Sequence, residues 1–139
     1  MTPSPQFLLD TNVVSELNKA RPQRRVVDFL EANRQHVALS WFVLAELQKG
    51  ASELQNKDPL RAAELSRWIL GIEAEFSDCI LGLDSGTARI WGELSWRRTR
   101  STIDTFLAAT AIHHQLTVVT RNVRDFADLP VKLLNPWDA

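Results

Sequence analysis

The chain has 139 residues, 45% of them hydrophobic and 24% charged, with 17 acidic side chains against 16 Lys and Arg. This size and balance fit one globular domain spanning residues 1–139, large enough to bury a core without cross-links, and the lone Cys79 excludes an intrachain disulfide. No run approaches the ~18 apolar residues that span a bilayer, and Met1-Thr2-Pro3-Ser4-Pro5 lacks the basic and apolar parts of a signal peptide, so a soluble, cytoplasmic protein is expected.

The chain opens with an apolar run over 7–10 that reads as a strand ending at Asp10. Thr11 or Asn12 then caps a short helix through Leu17. A helix over 24–33 carries Val26, Val27, Phe29 and Leu30 on one side. A second apolar run over 37–40 leads into a helix over 41–54 with Val43, Leu47 and Leu54 along a stripe. A helix over 60–76 follows, with Ala63, Trp68, Ile69 and Ile72 on its apolar face. Cys79 precedes a third short strand over 80–83 and reads as a small buried hydrophobe. Asp84, with Ser85, caps a helix through Ala88, Trp91, Leu94 and Ser95. Ser101 or Thr102 caps a helix over 103–115. Strands over 117–120 and 131–134 close the chain, the last bracketed by Pro130 and Pro136 as an edge strand tolerates. Short continuous apolar runs alternating with helices predict a mostly parallel sheet of about five strands with helices on both faces.

Four acids stand at the edges of these buried elements: Asp10, Glu46, Asp104 and Asp125. An acid pressed against apolar sequence costs desolvation energy unless something offsets it. Parallel sheets gather ligands beyond the carboxyl ends of their strands, where strand order reverses. Asp10 ends the first strand, and Asn122 with Asp125 follow the fourth. If those strands are neighbours, their loops converge. Asp104 opens the helix feeding the fourth strand, where the helix dipole favours negative charge. Glu46 lies within a turn and a half of the second strand's exit, beside Phe42 and Val43.

Such a cluster points to a shared divalent cation. Oxygen-only ligands select Mg²⁺ or Mn²⁺ over Zn²⁺. Two such ions balance four carboxylates and support phosphodiester hydrolysis by activated water, with no covalent nucleophile. Thr11, Ser40, Thr120 and Asn122 are candidates for positioning water or phosphate. Net charge of −1 alone argues against a nucleic-acid partner. Setting aside the four clustered acids leaves 13 against 16 Lys and Arg, a mildly basic remainder of +3.

Plainer readings stand beside these. Asp10 would be a helix cap, Glu46 a partner of Lys49, Asp104 a first-turn acid and Asp125 a partner of Arg121 or Arg124. Asp84 reads as a cap rather than a ligand. His113 and His114 suit a helix carboxyl end, and neither they nor His36 form part of a nucleophilic triad. Trp68 and Trp91 sit at helical spacing with aliphatics, which favours burial. Arg97, Arg98 and Arg100 form the densest basic run, either a solvated helix end or a contact for RNA or for a protein partner.

Four segments in order resemble a known family: Leu8-Leu9-Asp10-Thr11-Asn12; Ser40 with Ala45-Glu46-Leu47; Ile103-Asp104-Thr105-Phe106-Leu107-Ala108-Ala109-Thr110-Ala111; and Val119-Thr120-Arg121-Asn122-Val123-Arg124-Asp125-Phe126. They look like the PIN domain. More narrowly, with Leu134-Asn135-Pro136-Trp137, they look like the VapC-type ribonuclease toxins of type II toxin–antitoxin pairs, in the FitB-like branch. The resemblance implies a three-layer α/β/α fold and Mg²⁺- or Mn²⁺-dependent endoribonuclease activity. It also implies a homodimer and a cognate antitoxin that blocks the site. Asp10, Glu46, Asp104 and Asp125 match the family's acidic quartet. Asn122 stands where many members carry an acid, leaving Asp125 to bind metal through water or to orient the site. Two other functions remain open on the residues: an RNA- or protein-binding module without turnover, and a metal-dependent nuclease acting on DNA or a small phosphoester.

Overall fold

A computed structural model describes residues 4–96 and 101–138. Its five strands are β1 (Phe7–Leu9), β2 (Val37–Ser40), β3 (Ile80–Leu81), β4 (Thr117–Val119) and β5 (Lys132–Leu134). They form one sheet in the order β3-β2-β1-β4-β5, and every neighbouring pair is parallel. Helices flank the sheet, giving the α/β/α arrangement expected from the sequence: α1 (Thr11–Glu16), α2 (Arg24–Ala32), α3 (Trp41–Leu54), α4 (Pro59–Glu75), α5 (Ser85–Ser95) and α6 (Thr102–His114).

The apolar runs are continuous because the central strands are covered on both faces. Leu8, Leu9, Ala38, Leu39, Val118 and Val119 are fully buried and pack with Val13, Val26, Val43, Leu107 and Phe126. Each large side chain buried this way contributes roughly 1.5–3 kcal/mol. Three strands end earlier than the apolar runs predict. β1 and β4 stop at Leu9 and Val119, although the Asp10 amide still donates to the Val119 carbonyl at 2.9 Å and the Thr120 amide to the Leu134 carbonyl at 3.0 Å, and β3 stops at Leu81.

Several helix details differ from the sequence reading. The cap of α1 is Asp10, not Thr11 or Asn12: its carboxylate accepts from the Thr11 amide at 2.7 Å. Helix α4 starts at Pro59, whose missing N–H costs nothing there, after Asp58 as its cap. Its buried positions are Ala62, Ile69 and Ile72; Ala63 is exposed, one step round the helix, and Trp68 is half-buried. Cys79 is only half-buried at the end of a 3₁₀ turn, and burial raises its thiol pKa. Asp84 and Ser101 cap α5 and α6 as expected. Helix α6 ends on Gln115 in the left-handed region (φ 58°, ψ 46°), and the Leu116 amide folds back to the Ala111 carbonyl at 2.8 Å. That tight reversal delivers the chain straight into β4.

Strand order matters most between β1 and β4. From β1 the chain moves outward to β2 and β3, then returns to β4 on the other side. The carboxyl ends of β1 and β4 therefore flank the switch point of the sheet, where a crevice opens.

Candidate active site

At that crevice the structure brings together the four acids. Asp10, Glu46, Asp104 and Asp125 line one open pocket of about 330 Å³, with Thr11, Asn12, Ser15 and Asn122. Each arrives on a different element. Asp10 sits between β1 and α1 and is 5% exposed. Glu46 projects from the second turn of α3, Asp104 from the first turn of α6, and Asp125 from a 3₁₀ turn over Val123–Phe126. Phe126, fully buried, pins that last turn to the core while Asp125 stays exposed.

Asp10 is the most constrained. Its Oδ1 accepts from the Thr11 amide; its Oδ2 accepts from Thr120 Oγ1 at 2.8 Å and from Asn12 Nδ2 at 3.2 Å. Asn12 in turn accepts from the Arg121 amide at 3.1 Å, and Thr120 Oγ1 accepts from the Asn122 amide at 3.0 Å. Thr11 Oγ1 donates to Glu46 Oε1. One threonine therefore ties the start of α1 to α3, and Asn12 with Thr120 ties it to the loop after β4.

The electrostatics are those of crowded like charges. Burial raises the Asp10 pKa above its usual 3.8, with Glu46 adding to the rise, while the bonds from Thr120, Thr11 and Asn12 oppose it. The Asp104 pKa is pushed up to about 6, first by burial and then by the charges of Asp10, Asp125 and Glu46. Four oxygen donors that repel one another across one pocket form a donor set suited to a hard divalent cation.

The supporting residues divide. Thr11 and Asn122 line the pocket, and Thr120 lies buried beneath it, gripping Asp10. Ser40 instead caps α3, accepting from the Phe42 amide at 3.1 Å, and does not line the pocket. Lys49 pairs with Glu53 rather than with Glu46. Arg97, Arg98 and Arg100 lie outside the described residues. Arg121 and Arg124 line an adjoining pocket that shares Asn122 and Asp125 with the acidic one. The sequence reading assigned Asn12 and Ser15 no place in the site. For Asn12 the signal was its position two residues after Asp10, where an amide reaches back to the carboxylate.

Residues 7–132 of this chain match the PIN domain family. The chain belongs to the PIN-domain family. Within it, the chain is 36% identical over 139 residues to Toxin FitB of Neisseria gonorrhoeae, covering 94% of this chain and 98% of that protein. It is 29% identical over 138 residues to a VapC ribonuclease of Sinorhizobium fredii, covering 95% and 98%. The crystal structure of FitAcB from Neisseria gonorrhoeae superposes with a TM-score of 0.82 at 33% identity, covering 96% of this chain and all of that one. The resemblance and the α/β/α fold read from the sequence are thereby borne out. Nucleases with a PIN domain are metal-dependent, in keeping with the acidic pocket. Among the described residues, no helix is long and apolar enough to cross a membrane.

Proposed function

We propose that this PIN-domain chain is a metal-dependent endoribonuclease and the toxin of a toxin–antitoxin pair. The observation that carries the reading is the convergence of Asp10, Glu46, Asp104 and Asp125 on one pocket at the switch point of the sheet. Similarity to a toxin and to a VapC ribonuclease over nearly the whole chain supports it.

In this reading Asp10, Glu46 and Asp104 hold a Mg²⁺ or Mn²⁺ ion. Asp125 holds a second ion or orients the first. When bound, such a cation polarises the phosphodiester and acidifies water. The chain's own part is preorganisation. Thr120 and Asn12 fix the rotamer of Asp10, and Thr11 fixes Glu46, so the oxygens are aimed before substrate arrives. Asn122 offers an amide at the pocket wall for water or a phosphate oxygen. Arg121 and Arg124, in the adjoining pocket, suit the RNA backbone on its way to the acids. The partners in this proposal are RNA, a cognate antitoxin that covers the acidic pocket, and a second copy of the chain.

The test is cleavage of a defined RNA by the purified chain with Mg²⁺ or Mn²⁺, beside DNA and a generic phosphodiester. We expect RNA cleavage that EDTA stops and that Asp10→Asn abolishes. Equal cleavage by Asp10→Asn would overturn the assignment. Ion binding without turnover of any RNA would favour a binding module instead.

A further inference from the structure

The start of α5 and the end of α6 meet at a second cluster of ligating side chains, made from three residues with no part in the acidic pocket. Asp84 immediately precedes α5, and His113 with His114 are the last two residues of α6. Asp84 Oδ1 lies 3.6 Å from His113 Nε2, and Asp84 Oδ2 lies 3.4 Å from His114 Nε2. One ligand atom from each of the three can be chosen so that all lie within 4.8 Å of one another. The two imidazole rings stand edge to face, with centroids 4.8 Å apart.

Those spacings suit ligands sharing one ion better than hydrogen bonds. A separation of 3.6 Å is too long for a hydrogen bond. The edge of a tetrahedron built on bonds of 2.0–2.1 Å is roughly 3.3 Å. The His114 Nε2–Asp84 Oδ2 separation of 3.4 Å is therefore already close to that edge, and His113 Nε2, 3.6 Å from the other oxygen of the same carboxylate, completes a set of ligand atoms within 4.8 Å of one another. Two imidazole nitrogens and one carboxylate oxygen also form a softer donor set than the acidic pocket. That set selects Zn²⁺ and its neighbours over Mg²⁺.

The position of His113 depends on Gly86. A Cβ built on Gly86 would fall 2.1 Å from His113 Cε1 and 2.6 Å from its Nε2. The ring lies against the bare α-carbon in the first turn of α5, a place no other residue would leave open. The capping bond from the Thr87 amide to Asp84 Oδ1 at 2.8 Å fixes the carboxylate from the other side and leaves Oδ2 turned toward His114. The three side chains are 31–47% exposed, so an ion can enter, and a fourth position is left for solvent.

We propose that Asp84, His113 and His114 form a second metal site, selective for zinc, that staples the start of α5 to the end of α6. It is separate from the acidic pocket. Asp104 and His113 stand nine residues apart on one helix, roughly 14 Å at the α-helical rise. The role is structural: α5 and α6 share an extensive contact, and an ion at one end of it holds the pair in register.

The test uses the untagged full chain and Zn²⁺ alone as probe, with excess Mg²⁺ present to occupy the acidic pocket. We expect one equivalent of zinc to bind and to raise the melting temperature by mass action. His113→Gln and His114→Gln should each weaken zinc binding about tenfold or more, and Asp104→Asn should leave it unchanged. Gly86→Ala should match the histidine variants although it removes no ligand atom, because the new methyl displaces the His113 ring. Alanine suits a helix better than glycine, so that variant should still fold. Cleavage of RNA with Mg²⁺ should persist in His114→Gln, keeping this test distinct from the acidic site. Zinc binding that survives both histidine substitutions, or that disappears with Asp104→Asn, would overturn the proposal.

Discussion

Thr120 Oγ1 donates to Asp10 Oδ2 at 2.8 Å, joining two residues 110 positions apart in the chain. Both are buried: Asp10 is 5% exposed and Thr120 is 0%. The bond is possible because β1 and β4 are hydrogen-bonded neighbours, with Leu9 opposite Val119, so the next residue of each strand leaves the sheet at the same height. The hydroxyl also accepts from the Asn122 amide, which places the amide side chain of the same residue at the pocket. One strand pairing therefore orients an acid and sets the loop carrying Asn122 and Asp125.

Thr120→Val keeps the shape and removes the hydroxyl. Asp10 loses a donor that fixes its rotamer, and the Asn122 amide loses its acceptor. We expect a folded protein whose Mg²⁺ affinity or RNA-cleavage rate falls about 10–100-fold. Metal titration monitored by activity, with circular dichroism as the folding check, measures this. Unchanged activity would show that Asp10 is held well enough by Thr11 and Asn12 alone.

Asp104→Asn should stabilise the metal-free protein at neutral pH while removing a ligand. The Asp104 pKa is raised from 3.8 to about 6 by burial and by the neighbouring acids. The folded state thus binds the proton more tightly than the unfolded state. Its stabilising contribution is complete below the unfolded value and is lost as pH rises through about 6. In EDTA the wild type should therefore lose melting temperature between pH 4 and 7 relative to Asp104→Asn, by about 2–4 °C for each kcal/mol of repulsion. Mg²⁺ should restore the wild type and do less for the variant. Parallel melting curves for the two proteins across that range, in EDTA, would rule out a close acidic cluster.

The sheet was legible because its strands are covered on both faces, which turns them into unbroken apolar runs such as Phe7-Leu8-Leu9 and Thr117-Val118-Val119. Asp10 was legible because it ends such a run; Glu46, Asp104 and Asp125 break no strand pattern and stood out through their order along the chain with Asp10, which resembles that of the PIN domain. The adjacency of β1 and β4 remained a conditional, since nothing local in either strand specifies its neighbour. Ser40 was misplaced among the positioning residues for a physical reason. A serine between a strand and a helix satisfies a cap and a site equally well in one dimension, and only the direction of its hydroxyl, toward the Phe42 amide, decides. Asp84 was read as a cap, and it is one; its approach to His113 and His114 depends on how α5 packs on α6, which the sequence does not encode locally.

Gln115→Gly should stabilise the fold without touching either site. Gln115 holds a left-handed conformation at the carboxyl end of α6, at φ 58°. That conformation costs an L-residue about 1–2 kcal/mol. Glycine removes the cost but adds about 0.4–1 kcal/mol of unfolded-state entropy. The net expectation is a gain of about 0.5–1 kcal/mol, read as a higher denaturant midpoint with an unchanged slope. A lower midpoint would mean that the glutamine side chain makes contacts worth more than the backbone cost.

RNA cleavage should lose activity in acid with a midpoint that depends on metal concentration. Protons and the cation compete for the same oxygens of Asp104, whose pKa without metal is about 6. Burial pushes Asp10 in the same direction, and Glu46 adds to the rise. At limiting Mg²⁺ the midpoint should approach 6, because the pocket must first lose its proton. Raising Mg²⁺ should move the midpoint lower, since each bound ion favours the ionised carboxylates. Rate profiles between pH 4.5 and 8 at two Mg²⁺ concentrations, corrected for any unfolding at the acid end, measure the displacement. A midpoint that stays fixed as Mg²⁺ is varied would show that the titrating group is not a ligand, and would remove Asp104 from the proposed metal site.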